Sequence, residues 1–433
     1  MRDTFRSLRV RNYRLFITGQ LVSLIGTWMQ FIAQDWLVLR LSGDSGTALG
    51  VVTALQFTPV LLLSLYGGKL ADRYDKRRLL IAVNIIWGVL ALLLGLLVVT
   101  GAVRLWHVFV FAALFGSVSA IENPMRQAFA SELVGTELLP NALSLNSATF
   151  NVARIVGPAV AGVLISWLDT GPVILLNAAS YLAVVTGLFM IEPARLHRSS
   201  NRPRDTRIIN GIAYVLRRPD LLLPMALILV IGGLGFNFQI TLALFAKTEF
   251  NQGAATFGLL SSALAVGALC GALASSVRRG RPSVYVLIGG GLLFGVMELV
   301  VSAAPTFVVA AILLVAAGFT MIYFAQAANQ RVQLGTDEAY RGRVMALYIL
   351  VFLGSNPLFA PLVGWLGEQY GARIAMLVGG VASVLASLLA LLVRSRRRGV
   401  TFRVHMRPRL HLHVVEPHVG ELRIPAVPSR VAR

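Results

Sequence analysis

The chain has 433 residues, of which 56% are hydrophobic and only 13% charged, with a mean hydropathy of +0.74. Soluble domains carry about 25% charged residues, so this composition excludes a soluble globular protein and describes a polytopic membrane protein. The net charge of +20 does not indicate nucleic acid, because the basic residues fall in alternate loops and at the two termini rather than along one polar domain.

The chain opens with Arg2, Arg6, Arg9 and Arg11 and then runs into an apolar segment too long for the core of a signal peptide. A bilayer-crossing helix needs about 20 apolar residues. Twelve stretches qualify: 14–39, 47–71, 79–100, 105–127, 141–167, 172–192, 221–246, 254–277, 284–303, 306–329, 342–366 and 373–393. Clustered basic residues mark cytoplasmic loops. They occur at the N-terminus, at 72–78, at 195–218, at Arg278, Arg279 and Arg281, between Arg331 and Arg343, and in the C-terminal tail. The other loops hold Arg40, Arg104, Lys247 and Arg373 singly. An even number of spans with both termini cytoplasmic satisfies every loop. The layout expected is an all-α membrane protein: an N-terminal six-helix half over 1–192, a cytoplasmic linker over 193–220, a C-terminal six-helix half over 221–393 and a basic His- and Pro-containing tail over 394–433. Weak internal echoes join the halves, as in duplicated transporters. Asn123 to Arg126 ends span 4 as Asn329 to Arg331 ends span 10, and Gly162 with Trp167 in span 5 matches Gly364 with Trp365 in span 11.

Span 1 carries Gln20, Ser23, Thr27, Gln30 and Gln34 at intervals of three and four, which places all five on one helical face. Such amides and hydroxyls serve either as glue between helices or as the lining of a polar cavity, and a stripe this long favours the cavity. Span 5 carries Asn151 and Arg154, followed by Gly157, Pro158 and Gly162. Counted from Asn141, Arg154 lies about 20 Å along the helix, near the bilayer midplane, where a charge is costly and faces a cavity or a partner. Glu122 and Arg126 in span 4 are four apart and can pair along one face. Glu122 is also the nearest acid expected for Arg154. Asp35 sits beside the glutamine stripe, and Glu298 falls within span 9. Asn237 in span 7 and Tyr323 and Gln326 in span 10 complete the expected cavity lining.

Residues 67–80, GGKLADRYDKRRLL, form a charged knot between spans 2 and 3. The order Gly68, Leu70, Asp72, Arg73, Lys76, Arg77 resembles the loop signature of the major facilitator superfamily, with Asp75 where that pattern commonly has glycine. The segment ARIVGPAVAG resembles the span-5 signature of superfamily antiporters; Gly157, Pro158 and Gly162 match, and Ala153 and Ala161 stand where glycines are usual. NYRLFITGQLVSLIGTWM, ENPMRQAFASELV, NALSLNSATFNVARIVGPAVAG and RGRVMALYILVF are similar to the enterobactin-exporter-like, or transmembrane secretion effector, branch. The resemblance covers 1–393. It implies two pseudo-symmetric six-helix halves and a monomeric exporter in the bacterial cytoplasmic membrane, exchanging protons for a siderophore or drug-like organic molecule. It also implies that Gly68, Asp72, Arg73, Lys76 and Arg77 form a gating loop, with Asp72 latched near the start of span 11 beside Gly342. Gly157, Pro158 and Gly162 would thin and bend span 5. Asp35, Glu122, Arg126 and Arg154 are the coupling candidates. An importer or uniporter on the same fold, and a membrane sensor acting through the basic tail, stay open as alternatives.

The chain holds no GxxxxGK[ST] loop, so no ATP-driven step is expected. Asp72 and Asp75 have the spacing of a Mg²⁺-diphosphate pair, but the surrounding Lys69, Arg73, Lys76 and Arg77 disfavour a metal, and no enzyme activity is expected. Cys270 is the single cysteine and His405, His411, His413 and His418 match no metal-site spacing, so neither metal nor cofactor is expected. The tail arginines suit anionic lipid headgroups, and the alternation from Leu410 to Ile424 permits a small strand pair.

Overall fold

The computed structural model describes residues 5–197, 209–278, 280–398, 401–405 and 411–415; for Gly68 and Asp72 it describes the helical backbone alone. The latch expected of Asp72 therefore lies outside the described residues. The apolar runs fold as α1 (Arg11–Ser42), α2 (Gly46–Arg73), α3 (Lys76–Val99), α4 (Leu105–Leu168) and α5 (Thr170–Phe189). A short helix α6 (Ile209–Leu216) precedes α7 (Pro219–Gly235), α8 (Phe238–Leu244), α9 (Ala254–Ser276), α10 (Val284–Ser302), α11 (Phe307–Gly335), α12 (Glu338–Tyr370) and α13 (Ala372–Arg398). Hydrocarbon offers the backbone no water, so each crossing segment must close its hydrogen bonds within itself. Short polar side chains start several helices: Ser45, Asp75 and Thr306 accept from the N–H groups of Ala48, Arg78 and Val309.

Two expected spans, 105–127 and 141–167, are joined in α4. The intervening 128–140 is helical on both sides of Gly135, the one residue inside α4 with non-helical angles (φ +72°). That left-handed conformation suits glycine, while the Ala, Glu and Leu residues around it favour helix. Either arm is longer than a span requires, so the eleven apolar segments make twelve crossings. Span 7, expected to be continuous, breaks at Phe236–Asn237 between α7 and α8. Three glycines in 232–235 weaken the helix there, and Asn237 Nδ2 donates to the Gly233 carbonyl at 2.5 Å. In the expected linker, α6 packs on α12 with Val215 buried. The tail strands Thr401–His405 and His411–Val415 pair antiparallel, the first of them upstream of the alternation seen in the sequence.

In the first six crossings α1 packs on α4 and α5, α2 on α4, and α3 on α5; in the last six α9 packs on α11 and α10 on α13. Two seams join the sets, α2 against α12 and α4 against α9. One end of the bundle, the near end, holds the start of α1, the 74–75 turn and most of the described arginines; the opposite one is the far end. Among the described residues, polar contacts between the two sets lie in the far half: Glu368 with Ser45 Oγ and Thr47 N–H, Lys247 with Asp44, Gln239 with Asp35, and Ser262 with Ile155. The sets are thus closed together at the far end.

The described residues of the basic loop bond inside their own half. Lys76 Nζ lies 2.7 Å from Glu132 Oε1, both side chains mostly buried. Arg77 donates to the Leu188 and Phe189 carbonyls, which α5 leaves unsatisfied at its C-terminus. Arg73 is exposed beside the Tyr74 ring.

Candidate functional site

A cavity of about 320 Å³ opens among the first six crossings and reaches α8 and α12. Gln20, Ser23 and Thr27 line it from α1, Gln56 from α2, and Asn84 from α3. Glu122, Asn123 and Arg126 line it from the first arm of α4, Tyr181 from α5 and Gln239 from α8. Thr27 and Tyr181 share a 3.0 Å hydrogen bond, and the Tyr181 ring stacks on Trp87, which stacks on Phe115. The cavity therefore sets amides, hydroxyls and one charge pair among aromatic faces contributed by Trp28, Phe31, Phe57, Trp87, Phe150 and Tyr181.

The span-1 stripe divides. Its first three members border the cavity, whereas Gln30 accepts a hydrogen bond from Asn177 Nδ2 and is buried against α5. Gln34 is buried as well, and neither borders the cavity. Asn151 bonds back to the Ser147 carbonyl of its own helix, and Asn237 to Gly233. Tyr323 lies under the Arg278 guanidinium at 4.2 Å, and Gln326 is exposed. None of these four is among the residues that line this cavity. Gln30→Leu leaves Asn177 without its buried partner, at a cost of about 1–3 kcal/mol. It is expected to lower folded yield and to reduce transport of unlike cargoes equally. Gln20→Leu is expected to keep the yield and change cargo preference. Transport of two unlike cargoes, normalised to folded protein, separates the two outcomes.

The charged candidates part in the same way. Glu122 pairs with Arg126 at 3.2 Å, and Arg126 also donates to Asn123 Oδ1. Arg154 does not meet Glu122; its guanidinium lies 5.8 Å from the centre of the Trp28 ring. Two smaller cavities, of about 150 and 200 Å³, flank Arg154 where the two sets of helices face each other. The first shares Trp28, Phe31 and Gln239 with the large cavity and Arg154, Phe236 and Met321 with the second, so the three adjoin in a row, the tract. Asp35 joins the two helix sets. It is buried in α1, and its Oδ2 accepts from Gln239 Nε2 at 2.7 Å, across the division between the helix sets. Glu298 is buried where α10 meets Gly235 and Gly379. Gly157 packs against Ile25 and Trp28, and Gly162 against Ala254 and Ala255, so these glycines allow close helix approach.

Gln239, Trp28, Asn84, Gln56 and Tyr181 are absent from the expected set. Gln239 is an amide two residues after the Gly-Phe-Asn break, and Asn84 is a lone amide inside an apolar run; both were findable as polar residues within spans. The aromatic ones carry no sequence signal that separates a cavity wall from a core.

The chain matches the transmembrane secretion effector family over residues 2–423. It is similar to the Staphyloferrin A transporter of Staphylococcus aureus, at 25% identity over 386 residues, 87% of this chain and 94% of that protein. It is also similar to the multidrug efflux pump Tap of Mycolicibacterium fortuitum, at 24% identity over 390 residues, 87% and 94% of the two chains. Among solved structures, a bacterial homologue of the lysosomal transporter Spinster in an inward-facing, occupied conformation superposes with a TM-score of 0.72 at 15% identity, over 89% of this chain and 97% of that one. At that identity the likeness speaks for the fold.

Proposed function

Because the chain belongs to the transmembrane secretion effector family of the major facilitator superfamily, we propose that it is a secondary active exporter. Its cargo is a siderophore or drug-like organic molecule, and protons move the other way by alternating access. The observation that carries this reading is the placement of the cavity tract. Both helix sets line it, and the polar contacts described between the sets fall in the far half of the bundle. Rocking one set against the other would close one end and open the other around a fixed binding site. With the arginine-rich end in the cytoplasm, the described conformation faces inward. The relative named as an efflux pump supports the direction. Gln239 bonding Asp35 puts an acid at the contact that outward opening must break.

Purified protein in vesicles, given an imposed pH gradient and a fluorescent organic cargo of either charge, 5-carboxyfluorescein or rhodamine 6G, tests the reading. Efflux against the cargo gradient that requires the pH gradient is the expected result. Accumulation in the opposite direction, or equilibration indifferent to pH, would replace the exporter by an importer or a uniporter.

A further inference from the structure

Arg154 stands out among the described charges because it combines a mid-span position with the lack of a counter-charge. It lies mid-span in the second arm of α4, half-buried, with the Trp28 ring as its described partner. The acids that could balance it are engaged elsewhere: Glu122 by Arg126 and Asp35 by Gln239. Within the tract, Glu122 and Arg126 cancel, so one positive charge is left over. It is the one charged residue lining either flanking cavity among the described residues. An unbalanced arginine at the middle of a bilayer-crossing helix costs at least about 2.5–3.5 kcal/mol on insertion scales. A ring face attracts the guanidinium but supplies no acceptor in the plane of its five N–H donors.

The surroundings fit the other part of such a ligand. Trp28 and Phe31 from α1, and Phe236, Phe352 and Met321 from the last six helices, give the flanking cavities apolar and aromatic walls. Polar groups there are few and uncharged, chiefly Gln239 and Asn356. Concave apolar walls with one convergent charge are what orient a small organic ligand.

We propose that Arg154 is the cargo-anion receptor of the tract: the protein takes organic anions, a carboxylate or an ionised phenol on a planar apolar body, and binds the anionic group at the Arg154 guanidinium with the body between Trp28 and Phe236. This deepens the exporter reading and rests on it for the direction of movement. The cargo supplies the counter-charge that the fold omits. An occupied tract is then electrically balanced, and a cationic cargo of the same shape meets an unfavourable charge.

Two dyes with the same xanthene ring and opposite charge test this: 5-carboxyfluorescein, an anion, and rhodamine 6G, a cation. Binding to the purified full chain is measured by fluorescence anisotropy. The wild type is expected to favour carboxyfluorescein. Arg154→Gln is expected to weaken carboxyfluorescein binding at least tenfold and leave rhodamine 6G unchanged or tighter. Arg154→Lys is expected to fall between, since lysine keeps the charge without the planar fork. No preference for the anion in the wild type, or equal loss of both dyes in Arg154→Gln, overturns the proposal. Vesicle efflux with and without a pH gradient, run beside the binding, keeps the two readings apart. A wild type that binds the anion but pumps neither dye defeats the exporter and leaves the anion site. A variant that pumps both dyes with wild-type preference defeats the anion site and leaves the exporter.

Discussion

Gly258→Leu is expected to abolish transport while leaving membrane insertion intact, by holding the two helix sets apart at the far end. Gly258 of α9 crosses the second arm of α4 so closely that a Cβ there would overlap the Pro158 carbonyl oxygen. The same arm's Gly162 meets Ala254 and Ala255, and Ser262 Oγ donates to the Ile155 carbonyl at 2.7 Å. The other seam is built alike, with Gly46 against Gly364 and Gly50 against Ala360. A leucine cannot enter such a crossing unless the backbones separate, and overpacking costs typically about 1–3 kcal/mol. The cost falls only on the conformation in which the seam is closed. At about 1.4 kcal/mol per tenfold, the equilibrium shifts by about 5- to 150-fold towards the far-end-open state. A cysteine placed at Gln239 in a Cys270→Ser background should then be labelled faster by an impermeant reagent added from the far side. Gly289→Leu is the control, because an added Cβ there meets no atom within 4 Å. Wild-type flux and labelling in a normally inserted Gly258→Leu protein would show that the seam does not gate.

Asp35→Asn is expected to cut efflux against a gradient at least tenfold while leaving downhill exchange near wild type. Asp35 is buried in α1 and receives its hydrogen bond from the opposite helix set, where Gln239 Nε2 is 2.7 Å away. Opening the far end must separate these two groups and uncover Asp35 to that side alone. A proton taken up there is tied to one conformation, which is what coupling requires. Glu122 is less suited, since Arg126 stays four residues along the same helix in either conformation. Asparagine keeps the size and an acceptor for Gln239 but has no exchangeable acidic proton. The measurement is cargo flux in vesicles with and without an imposed pH gradient. Uphill pumping by Asp35→Asn with unchanged pH dependence would remove Asp35 from the proton path.

The helices were legible in the sequence because hydrocarbon forces every crossing segment to satisfy its own backbone. Apolar length alone therefore located all twelve crossings, and the loop at 67–80 and the stretch around Gly157 carried the family. Local spacing also sufficed for the pairing of Glu122 with Arg126, four residues apart on one helix. It did not suffice wherever a residue's role depends on what faces it. The amide stripe of α1 shows one periodic face, yet that face crosses α5 at Gln30 and the cavity at Gln20, so identical side chains are glue at one level and lining at another. Arg154 was expected to meet Glu122 and instead meets Trp28. Asp35 is placed by spacing only beside the glutamine stripe, and packing makes it bridge the two helix sets. Asn237 mends the helix break that the glycines before it permit. Helix formation depends on neighbours within four residues, which the sequence lists in order. Cavity lining and charge balance depend on contacts between residues more than a hundred positions apart, as Asp35 and Gln239 are, and only the packing of α1 against α8 brings those together.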